Sequence, residues 1–195
     1  MAPGPRAEFL AKGLRGTTMD AVARRARISK QSLYAAWPSK DALYAAVVRD
    51  GVDQGHDSMA PHARALAGAL DARTGLSRMA EVLQAGILST PVLRMRALVA
   101  AEADSFPEVA EQYAARSWDR NLGPLAGSLR ELDRRGLLTV PDADVAAEQF
   151  VWLVVGGPLN RSTLRGPGLA HPPEDLRRVA DEAVTTFLAR YGAGG

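Results

Sequence analysis

Nine basic side chains crowd the first fifty residues: Arg6, Lys12, Arg15, Arg24, Arg25, Arg27, Lys30, Lys40 and Arg49. Only Glu8, Asp20, Asp41 and Asp50 oppose them there, a balance of +5, whereas the rest of the chain carries 15 Arg against 18 acids. A basic head on a slightly acidic body suits a polyanionic partner for the head alone. Catalytic chemistry has no comparable support. Ser77, in Gly75-Leu76-Ser77-Arg78-Met79, lacks the second glycine and the preceding strand of a nucleophile elbow. Gly166-Pro167-Gly168 is neither preceded by a strand nor followed by a lysine, so it does not read as a phosphate loop. Glu102 and Asp104 read as helix-end or pocket groups rather than an acid/base pair, and no enzyme activity is expected. His56, Asp57 and His62 match no ligand spacing, so neither a metal nor a cofactor is expected.

The elements that must position the basic charge lie in residues 16–44. Thr17-Thr18 can cap a helix starting near Met19, in which Met19, Val22, Ala23 and Ala26 fall at i, i+3, i+4 and i+7 as one apolar stripe. Arg24, Arg25 and Arg27 lie off that stripe. Arg27-Ile28 makes a short turn, with Ile28 expected as its apolar plug. Ser29 caps a second short helix whose buried side is Leu33, Ala36 and Trp37, and Pro38 ends it. Ser39 caps a third helix that turns Leu43, Val47 and Val48 inward. Two short helices joined by a tight turn and flanked by a longer one place the second where it can enter a DNA major groove.

This stretch closely resembles the DNA-binding region of the TetR family of transcriptional regulators. The resemblance rests on Thr18, Val22-Ala23, Ala26, Ile28-Ser29, Leu33-Tyr34, Trp37, Ser39-Lys40 and Leu43; Arg27 stands where the family usually has glycine. It implies that Lys30, Gln31 and Ala35 face base edges, while Thr18, Ser32, Tyr34 and Lys40 face phosphates. Gln31 could pair bidentately with adenine and Ala35 could touch a thymine methyl. Of the family's first helix only residues 7–12 are read here, with Phe9 as core contact and residues 1–5 as a Pro/Gly-containing lead. That helix is therefore expected to be truncated.

With 195 residues and 47% apolar content the chain can bury a full core. The expected fold is all-α: a three-helix helix-turn-helix head over residues 1–48, then a larger helical effector-binding and dimerisation domain over 49–195. Apolar periodicity predicts helices over 59–71, 74–88 and 91–103. It predicts another from Pro107 with a break at Gly123-Pro124, one from Asp142 bent at Gly156-Gly157-Pro158, and a last over 174–191. Residues 96–150 resemble the AefR-like C-terminal domain of the same family, through Glu102, Ala103, Phe106 and Pro107, then Gly136 and Leu138, then Asp142, Ala146, Ala147 and Phe150. That implies a ligand-binding domain whose last two helices pair across a two-fold axis.

A pocket is expected between the middle helices, lined by Met79, Leu83, Ile87, Leu98, Tyr113, Trp118 and Phe150, for a small hydrophobic effector. Arg94 and Arg96 are expected to point elsewhere. These readings predict a homodimeric repressor that binds a palindromic operator in double-stranded DNA and is released by the effector. The alternative is a small-molecule-binding or scaffolding dimer that has lost its DNA affinity. The sequence has no cysteine and no signal-peptide pattern, and its longest apolar run, 150–155, falls far short of the ~20 residues needed to span a membrane. A soluble, cytoplasmic protein with no membrane partner is expected.

Overall fold

The computed structural model describes residues 3–193. They form α1 Pro3–Gly16, α2 Met19–Ala26, α3 Lys30–Ala36, α4 Lys40–Ala67, α5 Ala72–Ile87, α6 Thr90–Ala101, α7 Pro107–Ala114, α8 Arg120–Arg134, α9 Ala143–Arg165 and α10 Pro173–Tyr191. A π-helical turn, Ala115–Asp119, joins α7 to α8. No strand occurs among the described residues, where one antiparallel bridge pairs Leu138 with Gly192.

Helix starts follow the cap chemistry of the sequence. The side chains of Thr18, Ser29, Ser39 and Asp142 each accept a backbone N–H from the first turn of the helix they precede. The first helix differs from expectation: it begins at Pro3, where a missing N–H is harmless, rather than at residue 7. Gly4 then lies against the end of α2, so closely that a Cβ would come within 2.8 Å of the Ala26 Cα. Met1 and Ala2 of the expected lead lie outside the described residues.

Arg27 closes α2 with left-handed backbone (φ 57°, ψ 41°). Its N–H donates to the Arg24 carbonyl and that of Ile28 to the Ala23 carbonyl, a Schellman stop in which glycine is usual. The turn throws Ile28 outward to 41% exposure, so it is not the buried plug that was expected. Ala36 is likewise exposed, leaving Leu33 as the buried anchor of α3 with half-buried Trp37 beside it. Left-handed geometry costs an L-residue about 1–2 kcal/mol, against about 0.5–1 for the extra chain entropy of glycine. Arg27→Gly should therefore stabilise the protein by roughly 0.5–1 kcal/mol, read as a raised midpoint in urea.

Three prolines sit inside helices. Pro61 lies within α4, so the separate helix expected over 59–71 merges with the third helix of the head. Pro124 lies within α8, and the irregularity expected there falls upstream, in the wider π turn. Pro158 lies within a continuous α9. Lacking an N–H, it leaves the Val154 carbonyl without its helical donor. The buried Gln84 amide of α5 donates to that carbonyl at 3.4 Å, and to Leu176 O of α10 at 2.9 Å. One side chain thus repairs the proline gap and ties three helices together.

Two apolar cores result. The larger joins α5, α8, α9 and α10 around Phe150 and Phe187, whose rings meet edge-on at 5.0 Å. The smaller holds Phe9, Leu33, Leu43 and Tyr44 of the head, and runs on without a gap into Met95, Leu98 and Val99 of α6. Residue 48, where the head is expected to end, lies within the first third of α4, which runs on to Ala67.

Candidate DNA-binding face and effector chamber

In α3, Leu33 is fully buried while Lys30, Gln31, Tyr34 and Ala35 are exposed. A 3.6-residue period puts Gln31 and Ala35 about 200° from Leu33, so one apolar anchor presents the opposite face outward. Lys30 pairs with Asp20 of α2 at 2.5 Å, an exposed ion pair that holds its ammonium at the edge of this face. The Ser32 hydroxyl meets that of Ser29 at 2.8 Å. Thr18 caps α2. Lys40 donates to the Leu14 carbonyl at 3.0 Å, docking the start of α4 on the end of α1 and leaving two further ammonium donors.

The support beneath this face was not legible in the sequence. Glu8 is buried between Lys12, at 2.6 Å, and Arg25 of α2, at 3.1 Å. Its bond to Lys12, with help from Arg25, holds the carboxyl below its ordinary range despite burial. Thr17, also buried, donates to the Gly13 carbonyl at 2.7 Å where α1 kinks. These bonds fasten α1 and α2 into one platform.

Behind the head lie three neighbouring cavities, all bordered by Tyr113. One of about 290 Å³ runs between head and body, from Arg6 of α1 past Gly51 and Met59 of α4 to Leu83 and Ile87 of α5. A smaller one of about 100 Å³ shares Met59, Leu83 and Ile87 and reaches Trp118, Leu122 and Val151. The third, of about 430 Å³, lies between α6, α7 and the end of α9, bordered by Leu93, Arg96, Ala100, Ala110 and Ser162. Gly51 lines this seam, and a Cβ there would come within 2.9 Å of the Met95 methyl, which would have to swing aside.

Of the pocket residues read from sequence, Leu83, Ile87, Tyr113 and Trp118 border these cavities. Met79 and Phe150 are packed in the larger core, to which Leu83 also belongs, and Leu98 in the smaller. Arg96, expected to point away, borders two of the cavities. Its signal was present: it follows Leu93 by three residues and precedes Ala100 by four, on one helical face. Trp118 also packs against Trp152 of α9, ring centres 5.0 Å apart and planes tilted by 43°.

Elsewhere, α9 and α10 bound an open groove of about 650 Å³ bordered by Val145, Trp152, Leu153, Phe187 and Tyr191. Among the described residues no cluster of His, Asp and Glu could hold a metal ion, and His56 and Asp57 lie outside the described side chains. No single described helix is long and apolar enough to cross a membrane.

Residues 6–47 match the family model of bacterial regulatory proteins, tetR family, and residues 74–193 that of the AefR-like transcriptional repressor, C-terminal domain. A TetR-family transcriptional regulator of Mesorhizobium loti superposes with a TM-score of 0.94 at 29% identity, over 98% of this chain and 94% of that one. The flavonoid-responsive regulator FrrA gives 0.73 at 24%, over 100% and 96%. A TetR family regulator of Pseudomonas syringae pv. tomato gives 0.71 at 21%, over 98% and 94%. No curated protein matches the chain.

Proposed function

The chain belongs to the TetR family of transcriptional regulators, and on that footing we propose that it is a one-component repressor, a homodimer released from a palindromic operator by a small apolar effector. It is a DNA-binding regulator, not an enzyme. The observation that carries the finer reading is the continuity of the smaller core, in which Leu33 behind the exposed face of α3 shares one packed cluster with Met95 of α6 and Tyr113 beside the cavities. A ligand filling those cavities pushes on α4 and α6, and through them on the spacing of two recognition helices in a dimer. Release requires that the ligand fit the DNA-incompetent spacing better than the competent one, since equal affinity shifts nothing.

In this reading Gln31 and Ala35 read bases with Lys30 at their edge, and Thr18, Ser32, Tyr34 and Lys40 meet phosphates. Two such heads bind half-sites about one helical turn apart, ~34–36 Å or a multiple of it. Mobility shifts on the DNA upstream of the protein's own gene test the assignment. Gln31→Ala should lose ~1–3 kcal/mol on the operator and relax the requirement at one base pair, leaving random-sequence binding unchanged. An equal loss on operator and random DNA would refute the role of Gln31. Absence of any shift at low salt by the folded protein would refute the repressor reading as a whole.

A further inference from the structure

We propose that the effector is an apolar organic acid, its carboxylate held by Arg96 and its hydrocarbon part lodged against Leu83, Ile87 and Trp118; this rests on the reading of the cavities as the effector site. Among the described residues, the three cavities are bordered by two charged side chains, Arg6 and Arg96, and by no Asp or Glu. Arg96 is half-buried, and among the described residues no carboxylate pairs with it. A guanidinium withdrawn from water without a counter-ion carries a desolvation cost that an arriving anion relieves. Its planar fork matches a carboxylate in two parallel bonds.

Position adds to charge. Arg96 borders both the cavity of about 430 Å³ and the inner one of about 100 Å³, with Tyr113 bordering each of them as well. An anion held there has its apolar remainder directed into the inner cavity, where Met59, Leu122, Leu125 and Val151 offer only hydrocarbon and thioether surface. Burial holds the Tyr113 phenol above its ordinary range, so at neutral pH it keeps the proton with which it can donate to the same carboxylate. Ser117 and Asn121 supply neutral polar edges common to the two inner cavities. A neutral hydrocarbon ligand would leave Arg96 buried and uncompensated, whereas an acid neutralises it.

The test uses matched acids and amides of identical shape, 2-naphthoate with 2-naphthamide and octanoate with octanamide, titrated calorimetrically into the full-length protein. The two pairs distinguish an aromatic from an aliphatic body. Each acid that binds should do so about tenfold or more tighter than its amide. Arg96→Gln should erase that preference while leaving amide affinity within about twofold, which a merely unfolding variant would not do. Should Arg96→Gln fail to fold, Arg96→Lys, which keeps the charge and loses the fork, should retain a reduced preference for the acid. Ile87→Trp, which fills the inner cavity, should abolish binding of acid and amide alike. Equal affinity for acid and amide, or a preference that survives Arg96→Gln, overturns the proposal while leaving an effector site that Ile87→Trp blocks. Binding indifferent to Ile87→Trp, or no binding by any of the four probes, overturns the effector-site reading along with it.

Discussion

Glutamates at Trp152 and Leu153 should turn the protein into a folded monomer that binds its operator ~10²–10⁴-fold more weakly. Both side chains stand on the outer face of α9, 44% and 39% exposed, with Val145 at 46% two turns earlier. Together with α10 they border an open groove whose apolar residues, Val145, Trp152, Leu153 and Phe187, are rimmed by Glu148, Gln149 and Arg190. A second copy placed across a two-fold axis would cover it with the same residues, forming a four-helix bundle. Two buried carboxylates in each protomer, four meeting at the axis, would carry a desolvation cost and mutual repulsion that such an interface cannot absorb. The operator loss follows because two linked heads bind at an effective concentration that one head lacks. Sedimentation velocity with circular dichroism on the same sample checks the expectation. A variant that still sediments as a dimer places the interface elsewhere.

Tyr44→Ala should cost ~3–5 kcal/mol and abolish operator binding, with Tyr44→Phe close to neutral. The ring is fully buried where head meets body. It lies 6.1 Å from Phe9 of α1 and 5.3 Å from Phe106, just ahead of α7, so it is the middle of an aromatic row within the smaller core that ties α1 and α4 to the start of α7. Truncation opens a cavity where α1, α4 and the segment ahead of α7 share side chains. The phenol supplies a second signature. Burial, reinforced by the nearby Glu102 charge, pushes its pKa up to about 12 from an ordinary value of 10.0. The unfolded chain therefore loses this proton first as pH rises, so the contribution is complete below pH 10 and is lost between about 10 and 12. Urea midpoints across that range should fall for the wild type, and less steeply for Tyr44→Phe. Identical alkaline slopes for the two proteins would rule out a buried, protonated phenol at this position.

Much of the head was legible because its signals are local. A cap needs only a hydroxyl or carboxylate beside a free first turn, so Thr18, Ser29, Ser39 and Asp142 could be assigned from sequence and they do cap their helices. Likewise an apolar period needs only spacing, and Met19, Val22, Ala23 and Leu33 are buried as their spacing required. The helical class, the helix-turn-helix and the family follow from such patterns. Spacing also says which side of a helix is covered, but not by what. Leu83, Met79 and Leu98 all sit on apolar stripes, yet Leu83 borders two cavities from the edge of the larger core, Met79 packs within that core, and Leu98 joins the head's core to α6, because different helices cover each. The prolines mislead for the same reason. Pro158 reads as a bend until the amide of Gln84, seventy-four residues away in the chain, satisfies the carbonyl it orphaned. A charged residue on an apolar stripe is the most dependent on the fold. Arg96 is surface decoration in a lone helix; here the packing of α7 and the end of α9 against α6 makes it a charged wall of two cavities, a position set by long-range contact and not by neighbours in sequence.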